Sequence, residues 1–229
     1  MRTYIISLFC SVGIILGTFG CSGPSGPAHN EIRLTQSGLQ GVKKIAVVVE
    51  QKHNFEVIHS RATTNIGAPL LLGGLAGVEI ASGIDEGKDK NQTALMAKAI
   101  QDVCCPSLFI ESLSPLSEPT RFDKVYILPD ANQKVSLSDY DAVVTFTIAR
   151  WGLRLIERET DKVAAFVELD AKMVRTRDAN TIWDQREVII GDRRENLATY
   201  SADSNMLRNE LRETIKKAGF QMSNALIYQ

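Results

Sequence analysis

Cysteine and histidine do most nucleophilic, metal and redox chemistry in proteins, and this sequence uses them sparingly, with 4 Cys and 3 His. Cys10 and Cys21 fall in the first 21 residues, whereas Cys104 and Cys105 are adjacent in the interior. Neighbouring cysteines bond to each other only through a strained ring. The pair reads as two small buried residues at a helix end, as a vicinal disulfide or redox pair, or as the source of an intermolecular disulfide. No CxxC and no zinc-type ligand spacing occurs, so no metal site is expected. His29 lies in a Ser/Gly/Pro-rich stretch. His53 and His59, six positions apart, would share a face of a regular strand, but no carboxylate pattern accompanies them. Nucleophilic catalysis needs a base set against Ser or Cys, and neither G-x-S-x-G nor H-E-x-x-H is present.

Phosphate binding fails on spacing. The nearest fragment is Gly83-Ile84-Asp85-Glu86-Gly87-Lys88-Asp89. A P-loop requires four residues between its glycines and a Ser or Thr after the Lys, so that amides cradle phosphate and a hydroxyl holds magnesium. Here three residues intervene and a carboxylate follows. The expectation is a protein without cofactor and without enzymatic activity.

The feature that packing alone explains least is an apolar, glycine-rich run, Ile66–Ala81. Gly73, Gly77 and Ala81 recur every fourth residue, which on a helix makes a smooth strip that another backbone can approach closely. Pro69 suits a first helical turn. Two readings follow: a hairpin or helix that contacts a membrane or a partner, or a helix buried in the domain. Glu79 opposes a full membrane span.

The elements that would position these residues are legible from hydrophobic period. Lys43–Glu50 is a β-branched run and reads as a first, central strand, with Phe55–His59 a second. Asn91–Cys105 reads as a helix with Leu95, Ala99 and Val103 on its apolar face beside Met96 and Ile100. Pro106 is expected to stop it, with Ser107–Glu111 a short strand and Lys124–Leu128 another. Val144, Phe146 and Ile148 alternate with threonines. The apolar set then changes phase to Trp151, Leu153 and Leu155, which implies a bulge or bend, expected at Gly152. Val163 to Met173 alternates with Glu168, Asp170 and Lys172 opposite. Asp178-Ala179-Asn180 supplies a turn, and Thr181–Ile190 returns as a third strand of an antiparallel meander with one solvated face. A closing helix spans about Ser204 to Ile227, with Leu207, Leu211, Ile215, Ala218, Met222 and Leu226 on one stripe. Gly219 within that helix costs about 1 kcal/mol against Ala, so it implies close packing or a break. The predicted fold class is α+β: a mixed or antiparallel sheet with a long C-terminal meander, packed by two helices including the C-terminal one.

The first residues have the layout of an export signal. One charge, Arg2, precedes an uncharged stretch to Gly20 that is short for a membrane span. Gly17-Thr18-Phe19-Gly20-Cys21 resembles the lipobox of bacterial lipoproteins, in which a small residue precedes a cysteine at the end of an apolar run. Thr18 stands where Leu is commonest, and Phe19 is bulky for its slot. The resemblance implies that residues 1–20 are a signal peptide removed with Cys10, and that Cys21 carries diacyl lipid. Residues 21–40 are then the lipidated cysteine and a flexible tether, and 41–229 a single domain. A single acyl chain binds a membrane marginally and two hold firmly. Ser22 after the lipid cysteine, where Asp would favour inner-membrane retention, points to the outer membrane, facing the periplasm.

Of 26 basic residues one is Arg2, leaving 25 against 27 acidic, a net −2 for the chain from Cys21. That balance speaks against nucleic-acid binding. The Ile45–Val49 strand, Tyr140–Val144 and the long pair around Leu169 and Trp183 resemble two kinds of periplasmic lipoprotein domain. One is the N-terminal domain shared by the Tol translocation protein and the curli secretion lipoprotein. The other is the auxiliary lipoprotein of ABC-type lipid transporters. The resemblance is one of fold, and fold does not fix function. The expected role is a membrane-anchored accessory component of an envelope transport, secretion or maintenance system, with an envelope protein or a second copy as partner. The alternative is a lipoprotein that binds a small ligand or lipid between sheet and C-terminal helix.

Overall fold

Strand β1, Lys44–Gln51, shows why the fold is mixed rather than purely antiparallel. Its residues from Ile45 to Val49 are buried on both faces, as parallel strands with covered faces require. The computed structural model describes residues 31–58, 79–80, 88–117, 121–128, 139–156 and 161–228. Among these, β1 lies between β4, Lys124–Leu128, and β5, Ala142–Leu155, parallel to both. The short β2, Phe55–Ile58, follows β1 along the same side of β5 and pairs in parallel with its second half. Beyond it lies β3, Glu79–Ile80.

The other side of β5 carries the meander that the alternation predicts. β6, Lys162–Arg175, pairs antiparallel with β5, and β7, Thr181–Ile190, pairs antiparallel with β6. A two-residue β8, Glu195–Asn196, meets the start of β6. The β6–β7 turn uses Ala179 at positive φ, with the Asn180 amide donating to Asp178 Oδ1 at 3.1 Å. The fold class is α+β as predicted, an eight-stranded mixed sheet with a long meander and a C-terminal helix.

The helices are α1, Lys88–Ala99; α2, Cys105–Glu111; α3, Leu197–Ala202; and α4, Ser204–Tyr228. All six residues of the predicted α4 stripe are buried. Phe109 and Phe146 meet at a tilt with 5.4 Å between ring centroids, and Phe146 meets Trp183 edge-on at 6.1 Å. Together with Met173, Leu211 and Ile215, all fully buried, these rings fill the layer between sheet and helices. At these positions side chains pack the layer between the sheet and the C-terminal helix.

Three local expectations are corrected. Pro106 starts a helix instead of ending one: it sits in the first turn of α2, where its missing N–H costs nothing. The strand expected at Ser107–Glu111 is therefore helical, with Cys105 and Phe109 one turn apart in the core. The face of α1 is also rotated from the one predicted. Met96 is buried with Thr93 below it and Ile100 just beyond the helix, while Leu95 is 63 % exposed. Finally, the tether ends earlier than residue 40. Ile32 bridges Asp184 of β7, and Leu34 belongs to the core.

Gly219 answers the question its position raises. A Cβ there would overlap Ser112 Oγ and come within 2.8 Å of the Phe109 carbonyl. Helices α2 and α4 therefore touch backbone to backbone, and α4 runs through the glycine unbroken.

Candidate functional site

The site residues read from sequence lie largely outside the described residues. Cys21, Gly73, Gly77 and Ala81 do, as do His29 and His59. His53 is described and exposed. Its backbone carbonyl accepts from Trp151 Nε1 at 3.1 Å and from Gln51 Nε2 at 2.9 Å. Cys104 and Cys105 are free thiols at the start of α2, the first exposed and the second buried. Burial, and then the neighbouring Cys104, push the Cys105 thiol far above its ordinary value, so it is a packing residue rather than a nucleophile. No cluster of His, Cys, Asp or Glu able to hold a metal occurs among the described residues.

What the fold does assemble is a row of alternating charges across the sheet face opposite the helices. Glu56 on β2 takes two bonds from Arg150 on β5, Nε to Oε1 at 2.6 Å and Nη2 to Oε2 at 3.2 Å. Arg150 Nη1 also lies 3.9 Å from Glu168 on β6. Glu168 is 3.8 Å from Arg186 on β7, which returns to β6 through Asp170 at 2.7 Å. Asp170 holds the Arg186 guanidinium above its ordinary value through this hydrogen bond. Strand register explains the order. Arg150 faces Glu168, Asp170 faces Arg186, and Glu168 meets Arg186 on the diagonal.

One backbone irregularity delivers Arg150 to this row. The register shift predicted at Gly152 falls instead between Ile148 and Arg150, at Ala149. This bulge lets Ile148 and Trp151 both enter the core and turns Arg150 to the opposite face. Gly152 has a different role. It sits opposite Glu56 at φ +146°, and any Cβ there would overlap the Glu56 carbonyl. Its missing side chain lets the β2 backbone lie close against β5 at this point.

Glu56 is the residue sequence reasoning missed. Its side chain is 4 % exposed, and a buried carboxylate is costly unless paired and hydrogen-bonded. The face is not wholly solvated as predicted, because Ala46, Ala164 and Phe166 are buried there too. Each carboxylate of the row contacts a guanidinium. Chemically the row fixes strand register and presents alternating charge.

A second polar joint ties the starts of β1 and β5. Asp141 Oδ2 accepts from the Lys43 and Lys44 amides at 2.9 and 2.8 Å, and these two donors hold its carboxyl below the usual range. Lys44 Nζ lies over the rings of Tyr126 and Tyr140 at 5.4 and 5.2 Å.

No protein-family model matches this chain, and no curated protein matches it. Solved structures do. A Xanthomonas campestris protein of the family described as DUF330 covers 86 % of this chain and 90 % of its own, at 9 % identity and a TM-score of 0.40. Lipoprotein GNA1162 from Neisseria meningitidis covers 79 % and 99 %, at 17 % identity and a TM-score of 0.29. A PelC dodecamer subunit from Paraburkholderia phytofirmans covers 75 % and 86 %, at 10 % identity and a TM-score of 0.28. The structures similar to this chain thus include a lipoprotein. Likenesses this loose carry no argument about function.

Proposed function

We propose that this chain is a lipid-anchored, non-enzymatic protein of the bacterial envelope, with its domain on the periplasmic side of the outer membrane. The observation that carries this reading is Gly20-Cys21 at the end of an uncharged stretch, followed by Ser22-Gly23-Pro24-Ser25-Gly26-Pro27. Two acyl chains on Cys21 would hold the protein on a bilayer without a spanning helix. Among the described residues no helix is long and apolar enough to cross one. The domain then serves as an accessory component that binds another envelope protein or a second copy. The partner contact is assigned to the strip Gly73, Gly77 and Ala81 on sequence grounds.

Among the described residues the packing of Phe109, Phe146, Trp183, Leu211 and Ile215 between sheet and α4 favours the interaction role over the small-ligand role. The test is crosslinked purification of the full-length protein from native membranes beside a Cys21→Ser form. Anchor-dependent recovery of one defined envelope protein, or of a dimer, is expected. Recovery of the folded, anchored protein alone, with a lipid or small molecule bound, would replace this reading with the ligand-binding one.

A further inference from the structure

Between Ile32 and Val42 the chain is fastened to the domain at separate points. Ile32 and Asp184 of β7 exchange both backbone hydrogen bonds, at 2.8 and 2.9 Å. Leu34 and Val42 insert into the core. Arg175, the last residue of β6, reaches the stretch between them. Its Nη2 donates to the Gly38 carbonyl at 2.6 Å, while Nη1 donates to Asp178 at 2.9 Å. The turn itself is closed from within. The Leu39 amide donates to the Thr35 carbonyl, the Val42 amide to the Leu39 carbonyl and the Gly38 amide to Thr35 Oγ1. Thr35, Gln36, Ser37, Gln40 and Gly41 are exposed.

We infer that residues 32–42 are a strap that opens and closes as one unit, hinged at Lys43 and fastened by Arg175. The hinge is set by the joint beyond it. The Lys43 and Lys44 amides both donate to Asp141, and from Ile45 the chain is buried in the centre of the sheet. A mostly exposed segment with two core side chains and its own local bonds opens at a lower free energy than such a strand. Arg175 is a positioning residue in this device. Its guanidinium is held by Asp178 on one side, so the fork that meets Gly38 is already oriented when the strap closes.

The strap decides where the spacer to the anchor begins. Closed, the last fixed point is Ile32, 11 positions after Cys21 and within about 38 Å of it at full extension. Open, it is Lys43, 22 positions after Cys21 and within about 75 Å. Opening thus about doubles the distance at which the domain can stand from the bilayer. This consequence rests on the anchor reading, whereas the strap does not. Acylation of Cys21 is read by mass and strap opening by amide exchange, so the two fail separately.

Hydrogen exchange on the full chain, resolved to single amides, tests the inference. The Ile32, Leu39, Val42 and Asp184 amides are expected to exchange together, at least about a hundredfold faster than those of Phe146 and Ala171 in the centre of the sheet. Arg175→Ala should speed the four by about tenfold and leave Phe146 and Ala171 unchanged. A Gly38→Cys, Ile182→Cys pair in a Cys104→Ser background gives an independent readout. A Cβ at position 38 lies 3.6 Å from Ile182 Cβ, within disulfide reach. Oxidation of this variant should slow the four amides at least about tenfold against its reduced form. Exchange of the four at the rate of Phe146 and Ala171 in the native protein would overturn the inference, because the segment would then open only with the whole domain. So would an Arg175→Ala effect spread equally over all these amides, or four amides that the disulfide leaves unchanged.

Discussion

Arg150 lies bidentate on Glu56, with Nε 2.6 Å from one carboxylate oxygen and Nη2 3.2 Å from the other. The arginine is 29 % exposed and the glutamate side chain 4 %, so the pair sits at the margin of the interior. Removing one partner of a buried pair typically costs about 3–5 kcal/mol, whereas replacing both with apolar groups is often neutral. Arg150→Ala should therefore lower unfolding free energy by about 2–4 kcal/mol in urea titrations, the lower bound reflecting the exposure of the guanidinium. Glu56→Leu/Arg150→Met should recover most of the loss. A loss under about 0.5 kcal/mol in Arg150→Ala would show that the pair contributes no more than an exposed one.

Gly152→Ala is expected to be more damaging than its single methyl suggests. The φ of +146° is unfavourable for any L side chain, and the methyl would overlap the Glu56 backbone. Strain of about 1–3 kcal/mol from the dihedral alone, with displacement of β2 added, should lower the thermal midpoint sharply. Near-wild-type melting would mean that β2 moves away at little cost.

Helix propensity and packing make opposite predictions at Gly219. Propensity favours Ala by about 1 kcal/mol. The Ser112 side chain and Phe109 carbonyl stand where the methyl would go, so Gly219→Ala should be destabilising. Chemical denaturation decides the sign.

The acid limb of stability should contain a contribution from Asp141. Its folded-state carboxyl is held below the usual range by the Lys43 and Lys44 amides. A depressed carboxyl contributes stability above its unfolded pKa of about 3.9, and that stability is lost as pH falls through the folded value. Asp141→Asn should lower stability at neutral pH and flatten the dependence below about pH 4. Equal slopes in both proteins would contradict the assignment.

Thiol chemistry should distinguish the adjacent cysteines. Cys104 is exposed and Cys105 buried, with burial the main cause of the raised Cys105 thiol. A thiol-specific reagent should modify Cys104 in the native state and Cys105 only after unfolding. Simultaneous modification of both would show that the start of α2 opens readily.

The meander and α4 were legible because their helix-facing and sheet-facing residues recur at the period of a long regular element, whereas the burial of Ala164 and Phe166 on the other sheet face leaves no such periodic trace. Lys124–Leu128 was recovered to the residue. Ser107–Glu111 was not, because an apolar run of that length fits either period and Pro106 signals a helix start as well as a stop. Leu95 misled for a related reason: both candidate stripes of α1 were apolar, and only tertiary packing chose between them. The phase change near Gly152 was visible, but a bulge at Ala149 and a close backbone approach at Gly152 leave the same trace in sequence. The charged row was invisible as a unit. Glu56, Arg150 and Arg186 are unremarkable surface types until the pairing of β2, β5, β6 and β7 sets them side by side.

The anchor is the claim on which the functional reading rests, and intact-mass and N-terminal peptide analysis of protein purified from native membranes tests it most directly. The expected result is a chain that begins at Cys21 bearing acyl groups, and a Cys21→Ser form that leaves the membrane fraction. A chain that retains residues 1–20, or one that carries an unmodified Cys21 and is recovered in the soluble fraction, would contradict it.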